Sequence, residues 1–394
     1  MREPRVLHVI ANLERGGAQE LLCTLAECRP APAEILVCTL ADGPLRARLE
    51  AGGALCRVVP GPRVTFARPV RWVSELRKVL GALAACVEEW GADIVQTHLL
   101  PVLDPAILSL HRTPRAPGVI WTFHGTDVLP LRPGRSLPLR RLACRARYRH
   151  AARRVDAIVA VSEAVRESVA RQLGAVAGGR TRVIENAPSP RKHEPAGPTA
   201  FLRQALGLDA DARVVLSVGR LSAEKGCRRL VEAMPAVAAR VPAAVAMLAG
   251  DGPERRDLEA LARHTGVADR VRFLGDRDDV AGLLAVADVV CLPSEREGMS
   301  LSILEAMAAG RAVVALDIRA NRSLVEDGVT GVLVSPLERG ALARCVADLL
   351  SDPVRADALG RAARARVLSR HDPWRQAGLY AELHRDVLAA RTRR

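Results

Sequence analysis

Two residue classes, the aromatics and lysine, are scarce in this 394-residue chain, and long apolar runs are missing. Aromatic side chains make up 3% of the sequence, too few for the stacking platforms that single-stranded nucleic acid requires. Lysine occurs only at Lys78, Lys192 and Lys225, so the net charge of +14 is almost entirely arginine. With alanine also abundant, that excess reads as a compositional habit rather than one binding face. A lysine that survives such a bias says more than any single arginine. No apolar run approaches the ~18–20 residues needed to span a bilayer, and the opening Met1-Arg-Glu-Pro-Arg5 leads into an apolar stretch too short for a secretory signal. A cytoplasmic protein is expected, peripheral on a membrane at most. The nine cysteines are scattered, with no Cys-x-x-Cys pair and no zinc spacing, and are expected to be buried free thiols.

What the chain has is alternation. Short apolar strands are predicted at 5–10, 34–40, 93–97, 118–123, 156–161 and 181–185, with a weaker one at 55–59. Amphipathic helices fall at 18–28, 69–90, 101–112, 138–152 and 163–173. The segment from Ala187 to Pro198 carries four prolines and can continue neither a helix nor a central strand. A second array then begins, with strands at 213–218, 244–249, 271–274, 288–292, 312–315 and 331–334. The expected architecture is α/β, with two doubly wound parallel-sheet domains of Rossmann type facing a central cleft. The boundaries expected are 1–187, a linker 188–199, 200–371, and a terminal helix 372–394 that crosses back to brace the first domain. Ligands of such sheets bind at the carboxyl ends of the strands, so the loops there are the place to look for chemistry.

Four loops stand out. Pro293 to Gly310 leaves a buried strand, passes a polar loop and enters a helix, with Glu297 and Glu305 eight residues apart. The backbone N–H groups of Gly298, Met299, Ser300 and Leu301 would meet a phosphate, Glu305 would suit a ribose and Glu297 a sugar. A competing reading makes Ser302 and Glu305 a capping box and Glu297 a solvated charge. Gly219-Arg-Leu-Ser-Ala-Glu-Lys-Gly226 sets Arg220 and Lys225 at a strand end, where fixed cations would stabilise a departing diphosphate. Gly16 and Gly17 open the first helix and permit close approach of a phosphate or sugar. His124, followed by Gly125, places an imidazole at another strand end, although a lone histidine is more often structural.

Together these stretches resemble the retaining glycosyltransferases of family 4, glycosyl transferases group 1, which have the two-lobed GT-B fold. Val6-Leu-His-Val-Ile10 and Gly16-Gly17-Ala18 look like that family's first strand and glycine loop. His124-Gly125-Thr126-Asp127 looks like its His-Gly-x-Asp turn. The blocks 219–226, 249–254, 297–310 and 326–334 follow in the family's order. The resemblance implies that Arg220 and Lys225 hold the diphosphate of a nucleotide-sugar donor and that Glu305 binds its ribose. It further implies Glu297 and His124 at the donor sugar, and Gly17 on the phosphate or acceptor side. It implies no metal and no cofactor, so Asp276-Arg-Asp278 is expected to be a loop rather than a metal site. The acceptor expected is a glycan or a lipid-linked one, as in surface polysaccharide or glycolipid synthesis. The alternative is an epimerase or hydrolase acting on a nucleotide-sugar. Nucleic acid is not an expected partner. Two departures, Arg319-Ala-Asn-Arg-Ser323 and Asn186-Ala187-Pro188, leave the sugar and the hinge open. From Arg132 to Arg154 there are nine arginines and no acidic residue, a stretch suited to docking on an anionic membrane surface or simply to a solvated face.

Overall fold

A computed structural model of the chain describes residues 3–30, 34–59, 69–98, 100, 103–129, 138–190 and 199–393. Most of the proline-rich linker, and Arg132 and Arg135 of the basic stretch, lie outside the described residues. Two compact units are present, Met1–Asn186 with Pro373–Arg394, and Ala187–Asp372.

The first unit holds seven strands: β1 (Arg5–Ile10), β2 (Glu34–Thr39), β3 (Leu55–Val58), β4 (Ile94–His98), β5 (Gly118–Phe123), β6 (Ala157–Ala160) and β7 (Thr181–Val183). The second holds six: β8 (Arg213–Val218), β9 (Ala244–Ala249), β10 (Val271–Gly275), β11 (Val289–Leu292), β12 (Ala312–Leu316) and β13 (Val332–Val334). The sheet orders are β3-β2-β1-β4-β5-β6-β7 and β10-β9-β8-β11-β12-β13. All pairings between these strands are parallel. Both are the doubly wound order, built outward from a central pair: β1 beside β4 and β8 beside β11.

Sequence explains why these segments are strands. Val-Val-Cys-Leu of β11 and Ala-Val-Ala-Met-Leu-Ala of β9 are buried at every position, as parallel strands covered on both faces must be. Each unit also starts its first strand with the same device. Asp93, just before β4, accepts a bond from the Arg5 amide at 2.9 Å, and Asp288, just before β11, accepts one from Val214 at 2.7 Å. A third carboxylate, Asp156 before β6, does this for Val119 of β5. These carboxylates satisfy N–H groups at the bottom of the sheets that no neighbouring strand reaches.

The first core joins β1, β2, β4 and β5 to the helix Gly17–Cys28 and to the terminal helix Pro373–Thr392, whose Tyr380, Leu383 and Val387 are buried. The second packs the helices Cys227–Arg240 and Ala341–Ser351 on β8, β9, β11 and β12. Burying each of the larger apolar side chains contributes about 1.5–3 kcal/mol, and the two cores have no residue in common. One predicted element differs. The helix expected at 101–112 is an α-helical turn, Leu103–Ile107, followed by a 3-10 segment, Leu108–Arg112. Pro114 holds Thr113 extended (ψ 156°), which ends the segment and tightens its last turn. Among the described residues no helix is long and apolar enough to cross a membrane.

Candidate active site

In each sheet the strand order reverses between the central pair, and the crevice beyond the carboxyl ends of that pair is where such folds take ligands. In the second unit the pair is β8 and β11. The Arg220–Lys225 loop leaves β8, and the Glu297 loop leaves β11.

Close backbone packing holds those two loops together. After β8 the chain turns at Gly219 (φ 149°), and the Leu221 amide bonds the Asp251 carbonyl at 2.9 Å while the Glu254 amide bonds the Leu221 carbonyl at 3.0 Å. A 3-10 turn, Ala223–Lys225, ends at Gly226 with φ 65°. Any Cβ at Gly226 would collide with the Pro293 carbonyl oxygen. Position 226 therefore needs glycine twice, for its left-handed backbone and for this approach. The Glu295 amide then bonds the Glu224 carbonyl at 2.9 Å. The outcome is an ion pair between two of the predicted site residues: Lys225 Nζ lies 2.7 Å from Glu297 Oε1. Glu297 is nearly buried, at 9% side-chain exposure, while Lys225 keeps 30%. The ammonium has three donors, and this bond uses one. Arg220, on the same loop, is exposed and makes no side-chain hydrogen bond among the described residues.

Downstream of Glu297, Gly298, Met299 and Ser300 are buried and lead into the helix Leu301–Ala308. Here the capping-box reading of Ser302 and Glu305 is corrected. Ser300 is the N-cap, in extended conformation, and its hydroxyl accepts from the Ile303 amide at 3.4 Å. Ser302 is already the second residue of the helix, so Glu305 lies two residues beyond the position from which a capping-box side chain reaches back to the cap. Glu305 is 4% exposed, a buried carboxyl on a helix of only eight residues. The amides of Leu301 and Ser302, in the first turn, precede any intrahelical acceptor and remain available to an anion. Beside this, in the helix Arg319–Arg322 after β12, Asn321 is fully buried and donates to the Leu316 carbonyl at 2.8 Å. Asp276 and Asp278 instead follow β10, the edge strand, two strands away from β8. Among the described residues no group of three or more His, Cys, Asp or Glu is placed to hold a metal ion.

In the first unit the central pair is β1 and β4. Gly16 is the extended N-cap of the helix Gly17–Cys28, and the Gln19 amide secures the loop by bonding Asn12 Oδ1 at 2.8 Å and the Asn12 carbonyl at 3.2 Å. His124, directly after β5, is half-buried and belongs to a chain of rings that sequence reasoning missed. His124 Nε2 is 3.1 Å from His98 Nδ1, and His98 Nε2 is 3.0 Å from His8 Nδ1. His384, on the terminal helix, stands edge-on to His8 at 6.2 Å between centroids and bonds Gln96 Oε1 at 2.7 Å. Burial pushes His8 and His384 down to about 3 and His124 down to about 4, and it lowers His98 well below the usual imidazole value. Like-charge repulsion from neighbouring rings adds to the shifts of His8 and His98, and Arg385 adds to that of His384. All four rings are thus neutral at physiological pH. Asp104, buried after β4, is pushed the other way, up to about 7, by burial.

The chain matches known proteins along most of its length. Residues 15–190 match the family described as Glycosyltransferase Family 4, and residues 199–366 match Glycosyl transferases group 1. A 2-deoxystreptamine glucosyltransferase of Streptomyces kanamyceticus is 30% identical over 317 residues, covering 78% of this chain and 81% of that protein. An alpha-D-kanosaminyltransferase of the same organism is 35% identical over 208 residues, 52% of this chain and 54% of the relative, so the chain spans about half the length of that protein. Among solved structures, Anabaena HepE in complex with UDP and glucose superposes with a TM-score of 0.80 at 24% identity, covering 96% of this chain and 99% of that one. Sucrose-phosphate synthase of Thermosynechococcus elongatus gives 0.78 at 24% identity, over 98% and 100%. Those two likenesses speak to the fold, which is GT-B. With both halves matched in order and a relative aligned over four-fifths of its length, the chain belongs to the group 1 glycosyltransferases.

Proposed function

We propose that this chain moves a hexosyl unit from a nucleoside-diphosphate sugar to a glycan or lipid-linked acceptor, with retention of configuration and without a metal. The observation that carries this reading is the Lys225–Glu297 pair at the β8/β11 reversal, beside the first turn of the helix Leu301–Ala308. In the step proposed, the bond from the anomeric carbon to the diphosphate breaks while the acceptor oxygen bonds that carbon on the same face. The acceptor proton passes to the departing phosphate. The diphosphate gains negative charge as it leaves, and Lys225, Arg220 and the amides of Leu301 and Ser302 are the fixed positive groups that meet it. One such contact contributes about 2–4 kcal/mol to the barrier. In this reading Glu297 orients Lys225 and receives donor-sugar hydroxyls, Glu305 binds ribose, and Gly16, Gly17 and His124 serve the sugar and acceptor side. The Asp276/Asp278 pair is left out because it follows an edge strand rather than the central pair.

Surface polysaccharide or glycolipid synthesis is the proposed setting. A lipopolysaccharide core biosynthesis glycosyltransferase of Rhizobium meliloti, 37% identical over 150 residues that cover 38% of this chain and 43% of that protein, is in keeping with it. The helix Pro138–Ala152 supports a cytoplasmic enzyme peripheral on an anionic membrane. Arg147 and Arg149 are exposed on it, Arg153 and Arg154 just beyond it, and Leu142 is 65% exposed. Co-sedimentation with anionic but not neutral vesicles is expected, and binding to neither removes the membrane from the account. The reaction is tested by incubating the protein with UDP-, GDP- and ADP-sugars and an acceptor panel, with and without chelator, and reading the anomeric configuration of product and donor. A product of the same configuration, formed undiminished in chelator, is the expected result. Inversion, or activity restored only by magnesium or manganese, contradicts the mechanism. Nucleotide release at full rate without any acceptor points to the hydrolase or epimerase alternative.

A further inference from the structure

Four of the nine histidines meet in the first unit, although they come from β1, the end of β4, the turn after β5 and the terminal helix. The central three form a line of ring-to-ring bonds, His124 Nε2 to His98 Nδ1 and His98 Nε2 to His8 Nδ1. A bond between two ring nitrogens needs one proton, and a neutral imidazole has one donor and one acceptor. His98 spends both nitrogens in the line. Only two proton arrangements therefore satisfy both bonds. In one, His124 Nε2 donates to His98 and His98 Nε2 donates to His8, which leaves His124 Nδ1 bare and His8 Nε2 protonated. In the other every direction reverses, so His124 Nδ1 carries a proton and His8 Nε2 is bare.

The free ends of the line are the atoms of interest. His124 Nδ1 and His8 Nε2 are both buried, and among the described residues neither has a hydrogen-bond partner. His8, itself fully buried, lines a cavity of about 30 Å³ with Tyr380, whose buried hydroxyl is likewise unpartnered, and with His384. That volume is enough for a single water. We infer that His98 and His8 are positioning residues that fix which proton role His124 Nδ1 offers at the end of β5, so that His124 Nδ1 and His8 Nε2 always take opposite roles. The ring that stands nearest the sugar in the proposed reaction is then set as donor or acceptor from inside the core, on the far side of His98, as a bond at one imidazole nitrogen fixes the other. The inference rests on the reading of His124 as a sugar-facing group.

Its test is separable from that reading. In full-length protein with ¹⁵N-labelled histidine, the ring-nitrogen resonances report which nitrogen of each imidazole is protonated. Opposite states at His124 Nδ1 and His8 Nε2 are expected in the unaltered protein, and the same state at both overturns the coupling without any variant. His98→Phe keeps a flat ring and removes both bonds. It is expected to mix the two tautomers at His124 and to lower kcat about tenfold or more, by analogy with the loss of other groups that orient a histidine. The donor KM should change less than about twofold, because His98 touches no substrate. His98→Gln, whose amide can also donate once and accept once, should restore part of the turnover. Unchanged His124 resonances, or unchanged kcat in a folded His98→Phe protein, overturn the inference. Absence of turnover in the unaltered protein with every donor instead sinks the proposed function, and the resonances still decide the coupling.

Discussion

The two units share a strand order and place their central pairs alike, yet the chemistry beyond those pairs is opposite. Beyond β8 and β11 stand an ammonium, a nearly buried carboxylate 2.7 Å away and an exposed guanidinium on the same loop. Beyond β1 and β4 stand glycines and a line of neutral imidazoles. The backbone device that starts each sheet, an aspartate bonding the first strand's amide, is the same in both units. Topology thus fixes where a site forms, and the residues on two loops decide what it holds. A charged end suits a diphosphate. A neutral end suits hydroxyls that must be oriented without being ionised.

Acid should separate the two units most strongly. An unfolded histidine takes up a proton below about pH 6.5, whereas His8 and His384 stay neutral in the folded unit until about pH 3, and buried His98 is also lowered. The unfolded state therefore binds more protons in that window, and stability is lost as the pH falls. Once well inside it, each buried ring costs up to about 1.4 kcal/mol per pH unit. Asp104, raised to about 7, acts with the opposite sign, because the folded state binds its proton first, but it is one group against four, since His124 is also lowered, to about 4. Hydrogen exchange at pH 7 and pH 5 should show the first unit losing protection while the second retains it. Earlier loss from the second unit would contradict the assignment of these rings as neutral.

Removing the charge from the other end comes next. Lys225→Ala is expected to lower turnover by about two to three powers of ten, with a stability loss of about 1–3 kcal/mol, since nearly buried Glu297 loses its ammonium partner. Near-normal turnover takes Lys225 out of the site. Gly226→Ala tests the packing that delivers that lysine. A side chain there meets the Pro293 carbonyl and a left-handed backbone, so a stability loss of about 1–3 kcal/mol and weaker donor binding are expected together. A variant as stable as the parent would mean the loop does not need this approach. Smallest is Glu305→Gln, which keeps the shape of a buried side chain and replaces its carboxyl with an amide. Donor KM should rise about tenfold with kcat less affected, the size expected of one charge-assisted bond. An effect on kcat alone would move Glu305 away from the ribose.

Much of this was legible in the sequence, and what was not has a common cause. The strands β8, β9, β11 and β12 announce themselves as runs of Val, Ala, Leu and Met, because a parallel sheet covered on both faces tolerates little else. Lys225 stood out because only three lysines occur in so arginine-rich a chain. Glu305 was ambiguous, since Ser302 three residues before it satisfies the capping pattern. Only the backbone of Ser300 shows which serine is the cap. The histidine line was invisible for a different reason. His8 and His98 are 90 positions apart, and His384 reaches Gln96 across 288. No local spacing encodes a contact that depends on which strands lie side by side. His124 could be noticed as a histidine at a turn, but its partners could not.

The account turns on whether the charged end of the second unit takes a diphosphate, and calorimetric titration measures that directly. UDP-, GDP- and ADP-sugars are titrated into the unaltered protein and into Lys225→Ala, in chelator. The account predicts that the unaltered protein binds one of them and that Lys225→Ala binds it ten- to a hundredfold more weakly, the worth of about 1.5–3 kcal/mol for a charged contact. Equal affinity in the two proteins would contradict it.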